Sequence, residues 1–107
     1  MTTNKTVTIN LEQFAQGRIT LLAAKPKGAD ARMALNIDDL DKSDDVVDVL
    51  IPDYIITLTP SFFLGLFSKS LDYLGEEKFF QKYHFKNAKF SIQQQIKSGV
   101  DDWKNAQ

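Results

Sequence analysis

Asp38, Asp39, Asp41, Asp44, Asp45 and Asp48 crowd into one short stretch, and closely spaced carboxylates are what a chain uses to hold hard cations. Asp39, Asp41 and Ser43 alternate like the first ligands of a calcium loop. However, the sixth place is Asp44 where that loop requires glycine, and the twelfth is Leu50 where it requires glutamate. The stretch therefore reads as a solvated acidic loop, with no metal ion and no other cofactor expected. The single histidine, His84, lies in a β-prone segment without a serine–base arrangement beside it, so a structural role is expected over an acid–base one. Glu76 and Glu77 are adjacent, and neighbours on a helix point apart, which leaves no carboxylate pair for acid–base work. Gly28, Gly65 and Gly75 are isolated, so no phosphate-cradling loop is present. No catalytic residues are assigned, and the chain is read as a non-enzyme.

Two other groups bear on binding. Lys78, Lys82, Lys86 and Lys89 are interleaved with Phe79, Phe80, Tyr83, Phe85 and Phe90, the mixture that stacks and neutralises single-stranded nucleic acid. The formal net charge of −1 argues against that use, and the aromatics are what a core in this region would need. Ser61 follows Thr59-Pro60 and precedes Phe62-Phe63-Leu64. A serine at a helix start caps the helix and is also a place where a phosphate is well tolerated.

The elements that position these residues centre on 46–74. Val46, Val47, Val49, Leu50 and Ile51 form an apolar, mostly β-branched run broken by Asp48, the habit of a strand covered on both faces. Pro52-Asp53 interrupts it, and Tyr54 to Leu58 is β-prone again. A helix is predicted to open at Ser61 as N-cap and to close at Gly75 as C-cap. Phe62, Phe63, Leu64, Leu66 and Phe67 cover most of its circumference, where a surface helix needs one stripe. Either later segments bury them, or Phe62 or Leu64 stays exposed as a partner-binding patch. A membrane span over 54–74 is disfavoured by Pro60, Lys69 and Asp72.

Upstream, Thr6 to Leu11 alternates as a half-buried strand, a turn falls at Gln16-Gly17, and Arg18 to Leu22 is a second strand, expected antiparallel to the first. Lys25-Pro26-Lys27-Gly28 reads as a loop, and 29–40 as a helix with Met33, Ile37 and Leu40 inward. Downstream, Glu76 to Lys82 suits a short helix and Tyr83-His84-Phe85 a short strand. Ile92, Ile96, Val100 and Trp103 mark a last amphipathic helix, weakened by Gly99. At 107 residues, 43% apolar and 25% charged, the chain makes one ordinary globular domain, 1–107. The absence of cysteine and of an apolar leader suits the cytoplasm.

The strand VVDVLI, the Pro60-Ser61-Phe62 helix start, Leu74 to Phe79 (LGEEKF) and His84 to Asn87 (HFKN) before the last helix resemble the STAS-like domain family of unknown function. That family is a relative of the STAS domains of anti-sigma factor antagonists, and the resemblance spans Val46 to Ile96. It implies an α/β domain, with a mixed sheet of roughly four to five strands and about three to four helices mainly on one side. It also implies regulation through a protein partner, a histidine-kinase-type ATPase or an anti-sigma-like protein, with a serine at the start of a helix as phosphorylation switch. Ser61 is the matching position, although Thr59-Pro60 stands where the switches carry aspartate. Two surfaces are therefore expected to compete for a protein partner. One is the helix start, with Thr59, Ser61, Phe62 and Leu64. The other is the acidic stretch Asp38, Asp39, Asp41, Asp44 and Asp45, which a stand-alone inhibitor or a binder encoded by a mobile element would use to block a basic target.

Overall fold

The computed structural model describes residues 5–15, 21–22 and 25–106. In chain order these form β1 (Thr6–Asn10), the single helical turn α1 (Glu12–Ala15), β2 (Leu21–Leu22), α2 (Lys25–Ala34), α3 (Ile37–Lys42) and β3 (Val46–Leu50). Then follow β4 (Thr57–Leu58), α4 (Pro60–Leu74), α5 (Glu76–Lys82), β5 (Tyr83–Lys86) and α6 (Phe90–Asn105). The class is α/β, as expected, but the sheet differs. β1, β3 and β5 form a three-stranded sheet in that order, parallel throughout, and β2 and β4 make a separate parallel pair. Each strand of the larger sheet is followed by helix before the next one enters, and such crossovers return the chain in the same direction. The expected antiparallel pairing of the first two strands is thus replaced by β2 on β4. The turn at 16–17 and residues 18–20 of the second strand lie outside the described residues.

β3 alternates. Val47 and Val49 are fully buried, while Val46, Asp48 and Leu50 on the opposite face are half-buried, so this strand is covered on one face only. Tyr54 to Leu58 contributes just Thr57 and Leu58 as strand, because Ile55 N–H closes a turn onto the Pro52 carbonyl at 3.0 Å. The loop expected at 25–28 is the first turn of α2. A proline in a first turn lacks only an N–H that would have no intrahelical acceptor there. Gly28 is buried where α2 crosses α4: a Cβ would run into the Phe62 carbonyl oxygen and lie 2.9 Å from Leu66 N and 3.1 Å from Gly65 Cα. Two glycines thus let the helix backbones approach, and the helix-weakening residue is what the crossing requires.

The helix expected over 29–40 is two helices. Asn36 adopts φ 53°, ψ 44°, the left-handed region that asparagine tolerates, and breaks the run. The break resets the phase of the inward face. Ile37 is buried and Leu40 half-buried, but Met33, expected inward, is 79% exposed.

α4 is the centre of the core. Phe62, Phe63, Leu66, Phe67 and Leu71 are each at most 1% exposed, because α2 and α6 flank the helix and the inner face of the sheet lies beneath it. Its apolar circumference is answered by burial, and Phe62 is a core residue, not a surface contact. The N-cap is Thr59, two residues earlier than the expected Ser61. Thr59 Oγ1 accepts from Phe62 N–H at 3.2 Å, with Pro60 as first helical residue. Gly75 closes the helix at φ 82°, its N–H on the Leu71 carbonyl at 2.8 Å. Phe67, Phe79 and Tyr83 gather with ring centroids 5.0–5.1 Å apart, an aromatic cluster joining α4, α5 and β5. Ile92, Ile96 and Val100 of α6 are buried as their spacing predicts, and a Cβ on Gly99 would press to 2.5 Å from the Phe63 ring. One hydrophobic cluster from Ile9 to Val100 unites these elements into a single domain.

Candidate functional site

The start of α4 carries the first set of expected site residues. Thr59 is half-buried and spent on the cap, Ser61 is exposed, Phe62 is 1% exposed, and Leu64 is half-buried. Phe62 therefore leaves the expected contact set, and Ser61 with part of Leu64 remains. The structure adds two residues there. The side chain of Gln95 on α6 accepts the Leu58 N–H at 2.7 Å, and Ser91 Oγ approaches the Ile56 carbonyl at 3.5 Å. These contacts bring the beginning of α6 against the segment that leads into α4. They leave Ile56 54% and Phe90 65% exposed at the same end of the molecule. Neither residue stands out in sequence, since Ile56 sits in a β-prone run and Phe90 in an aromatic-rich one. Only the pairing of α6 with 56–58 joins them.

The acidic stretch is split by folding. Asp38, Asp39 and Asp41 are in α3, not in a loop, and Asp41 is 5% exposed. It anchors a buried polar network. Asp41 Oδ2 accepts from Arg32 at 2.6 Å and from Ser70 Oγ at 2.9 Å, and Asp41 Oδ1 accepts from the Tyr83 hydroxyl at 2.6 Å. Arg32, itself 6% exposed, also donates to the Leu66 carbonyl at 2.9 Å and to Ser70 Oγ at 2.8 Å. The guanidinium closes its fork on Asp38 Oδ1 at 3.0 and 2.7 Å. Asp38 is solvent-exposed, and its hydrogen bonds and charge attraction to Arg32 hold its carboxyl below the usual range. Burial first, and the Asp41 hydrogen bond second, push the Tyr83 phenol far above its usual value. The network ties α2, α3, α4 and β5 together, and Asp41 is part of the interior, not of a binding surface. Arg32 is its hub; the carboxylates six and nine positions after it in sequence are the only trace.

Asp39 and Asp44 are exposed and Asp45 half-buried. Lys82 Nζ donates to the Ser43 and Asp45 carbonyls, both at 2.7 Å, and with Lys78 lines the depression around Asp44 and Asp45. Desolvation there lowers the Lys82 pKa despite the neighbouring aspartates. Two lysines therefore interrupt this acidic surface. Among the described residues no group of three or more His, Cys, Asp or Glu side chains is placed to hold a metal ion.

His84 is on the open face of the sheet, its Nε2 3.1 Å from the Gln81 carbonyl and Nδ1 3.9 Å from Asp48 Oδ1. Thr8 shares its register row across β3. Two strand spacings separate β1 from β5, about 10 Å, so that hydroxyl lies beyond the reach of the imidazole for proton transfer. Glu76 is paired with Lys104 at 2.7 Å. Of the five aromatics interleaved with lysines, Phe79 and Tyr83 are buried and Phe85 half-buried; Phe80 and Phe90 reach the surface. Among the described residues no helix is long and apolar enough to cross a membrane.

In comparison with known proteins, no family, no curated protein and no solved structure matches the chain.

Proposed function

We propose that this domain is a small, non-enzymatic regulatory module of the cytoplasm that docks a protein partner through the start of α4, with Ser61 as its switch. The observation that carries the reading is the exposure of Ser61 at the start of α4, together with two solvent-exposed apolar side chains, Ile56 and Phe90, on segments that the contacts of α6 with residues 56–58 bring together. Apolar anchors with a polar rim are the anatomy of a docking patch. Leu64 and Thr59 complete it, and Phe62 supports it from beneath. A phosphate on Ser61 adds about −1.5 to −2 charges. At the second position of α4 it meets the positive end of the helix dipole, so the helix tolerates it, whereas an apolar partner surface placed over Ile56 and Phe90 does not. The resemblance to the STAS-like family names the partner class, a histidine-kinase-type ATPase or an anti-sigma-like protein.

Affinity capture from native extract tests this. A partner held by the wild type should be lost with Ser61→Glu and with Ile56→Asp, and retained with Ser61→Ala. Retention by both of the first two variants removes the helix start from consideration. A second reading, an inhibitor of the kind mobile elements encode, rests on the exposure of Asp39 and Asp44. It predicts loss of the partner with Asp39→Lys and Asp44→Lys together, and no effect of Ile56→Asp.

A further inference from the structure

A separate surface, independent of the α4 start, lies at the edge of the larger sheet. Among the described residues β5 has a strand neighbour on one side only, since the order is β1-β3-β5. The Ile51 N–H donates to the Lys86 carbonyl at 3.3 Å, so the backbone groups of His84 and Lys86 face β3, and those of Tyr83 and Phe85 face away. Tyr83 N–H is used on the Phe79 carbonyl. Phe85 N–H and C=O have no partner among the described residues. An edge of this kind is a template for another strand, and natural edges are blunted by proline, bulges or lysines. β5 has no proline, pairs with β3 without a bulge, and carries Lys86 as its one lysine.

On the helix side of the same edge is a groove of about 320 Å³ between α5 and α6, floored by Phe80, Phe85, Ala88, Ile96 and Val100. Phe80 is 38% exposed there. On the open side, β5 presents His84 and Lys86. The strand already paired with β5 shows what such an edge accepts. Val47 and Val49 of β3 enter the core, and Asp48 between them points to the His84 side at 3.9 Å.

From these features we propose that the free edge of β5 binds an extended peptide segment of a partner, in which an acidic residue stands between two apolar ones. The incoming strand would bond to Phe85 N–H and C=O. Its apolar side chains would enter the groove, and its carboxylate would face His84 and Lys86, repeating on this side of β5 the pattern that β3 provides on the other.

The test uses the full chain and a capped, fluorescein-labelled peptide of the chain's own residues 44–51, with a second peptide carrying Asp48→Lys. Anisotropy should show saturable binding of the first and about ten-fold weaker binding of the second. Amide hydrogen exchange at Phe85 should slow by about ten-fold on saturation. Phe80→Glu should lose binding with an unchanged circular dichroism spectrum, and Lys86→Glu should shift the preference toward the lysine peptide. The proposal is overturned by equal binding of both peptides, by a Phe85 amide whose exchange does not change, or by an unchanged preference in Lys86→Glu. It is also overturned if the chain without peptide dimerises in sedimentation and protects Phe85 in doing so, since the edge then belongs to a second copy.

Discussion

Replacing Arg32 with methionine keeps most of the side-chain volume and removes the guanidinium that meets Asp41 inside the protein. The pair is 2.6 Å apart with side chains 7% and 4% exposed, so its loss leaves a carboxylate in the interior with only the Ser70 and Tyr83 hydroxyls for company. Removing one partner of a buried pair costs about 3–5 kcal/mol. The Asp38 arm of the network is solvent-exposed and adds little to that. A domain of this size has a total stability of about 5–15 kcal/mol, so Arg32→Met should fold marginally and melt roughly 12–20 °C lower than wild type. Urea unfolding followed by fluorescence of Trp103, the one tryptophan, measures it. Asp41→Leu should be similarly costly, because it strands the arginine. The double variant should lose much less than the sum of the two single losses, with a coupling of about 2 kcal/mol or more, since removal of both charges leaves no unpaired ion. Single losses under about 1 kcal/mol that simply add would refute the assignment of this network as the tie between α2, α3, α4 and β5.

Four further outcomes are expected. Phe62→Asp should unfold the domain, because truncating a core phenylalanine costs about 3–5 kcal/mol before the buried charge is counted. Ile56→Asp should stay within about 0.5 kcal/mol of wild type in urea, as surface substitutions do. Gly28→Ala should lower stability by about 1–3 kcal/mol in thermal melts, since its Cβ meets backbone of α4 that cannot rotate away; a melting point at or above that of wild type would remove the close crossing from the fold. Tyr83 sets an alkaline limit. Its folded pKa is raised from 10.0 by burial and by Asp41, so its contribution is complete below pH 10 and falls away as pH rises above it. Urea midpoints taken from about pH 9 to pH 11 should decline less steeply for Tyr83→Phe than for wild type, and parallel declines would show that the phenol does not limit stability.

Local pattern determined much of this protein. The β-branched run of β3, the Gly75 stop after α4, and the four- and three-residue recurrence in α6 each follow from short-range physics, and each stands in the structure where the spacing puts it. The start of α4 was legible to within two residues; Pro60 moved the cap to Thr59, because a proline fits the first helical position and not the cap's bonding role. Strand direction was not legible, since an alternating segment such as 6–11 pairs equally well either way until the crossover helices choose. Nor was the inward side of 29–40, because a single left-handed asparagine re-phases everything after it. The site shows the same division. The exposure of Ser61 follows from its place at a helix start. The burial of Phe62, the removal of Asp41 from the acidic surface and the approach of the start of α6 to residues 56–58 are all long-range events. A phenylalanine is core or contact depending on whether another helix arrives over it, and an aspartate is surface or interior depending on whether an arginine comes to meet it. Those meetings are made by tertiary packing alone.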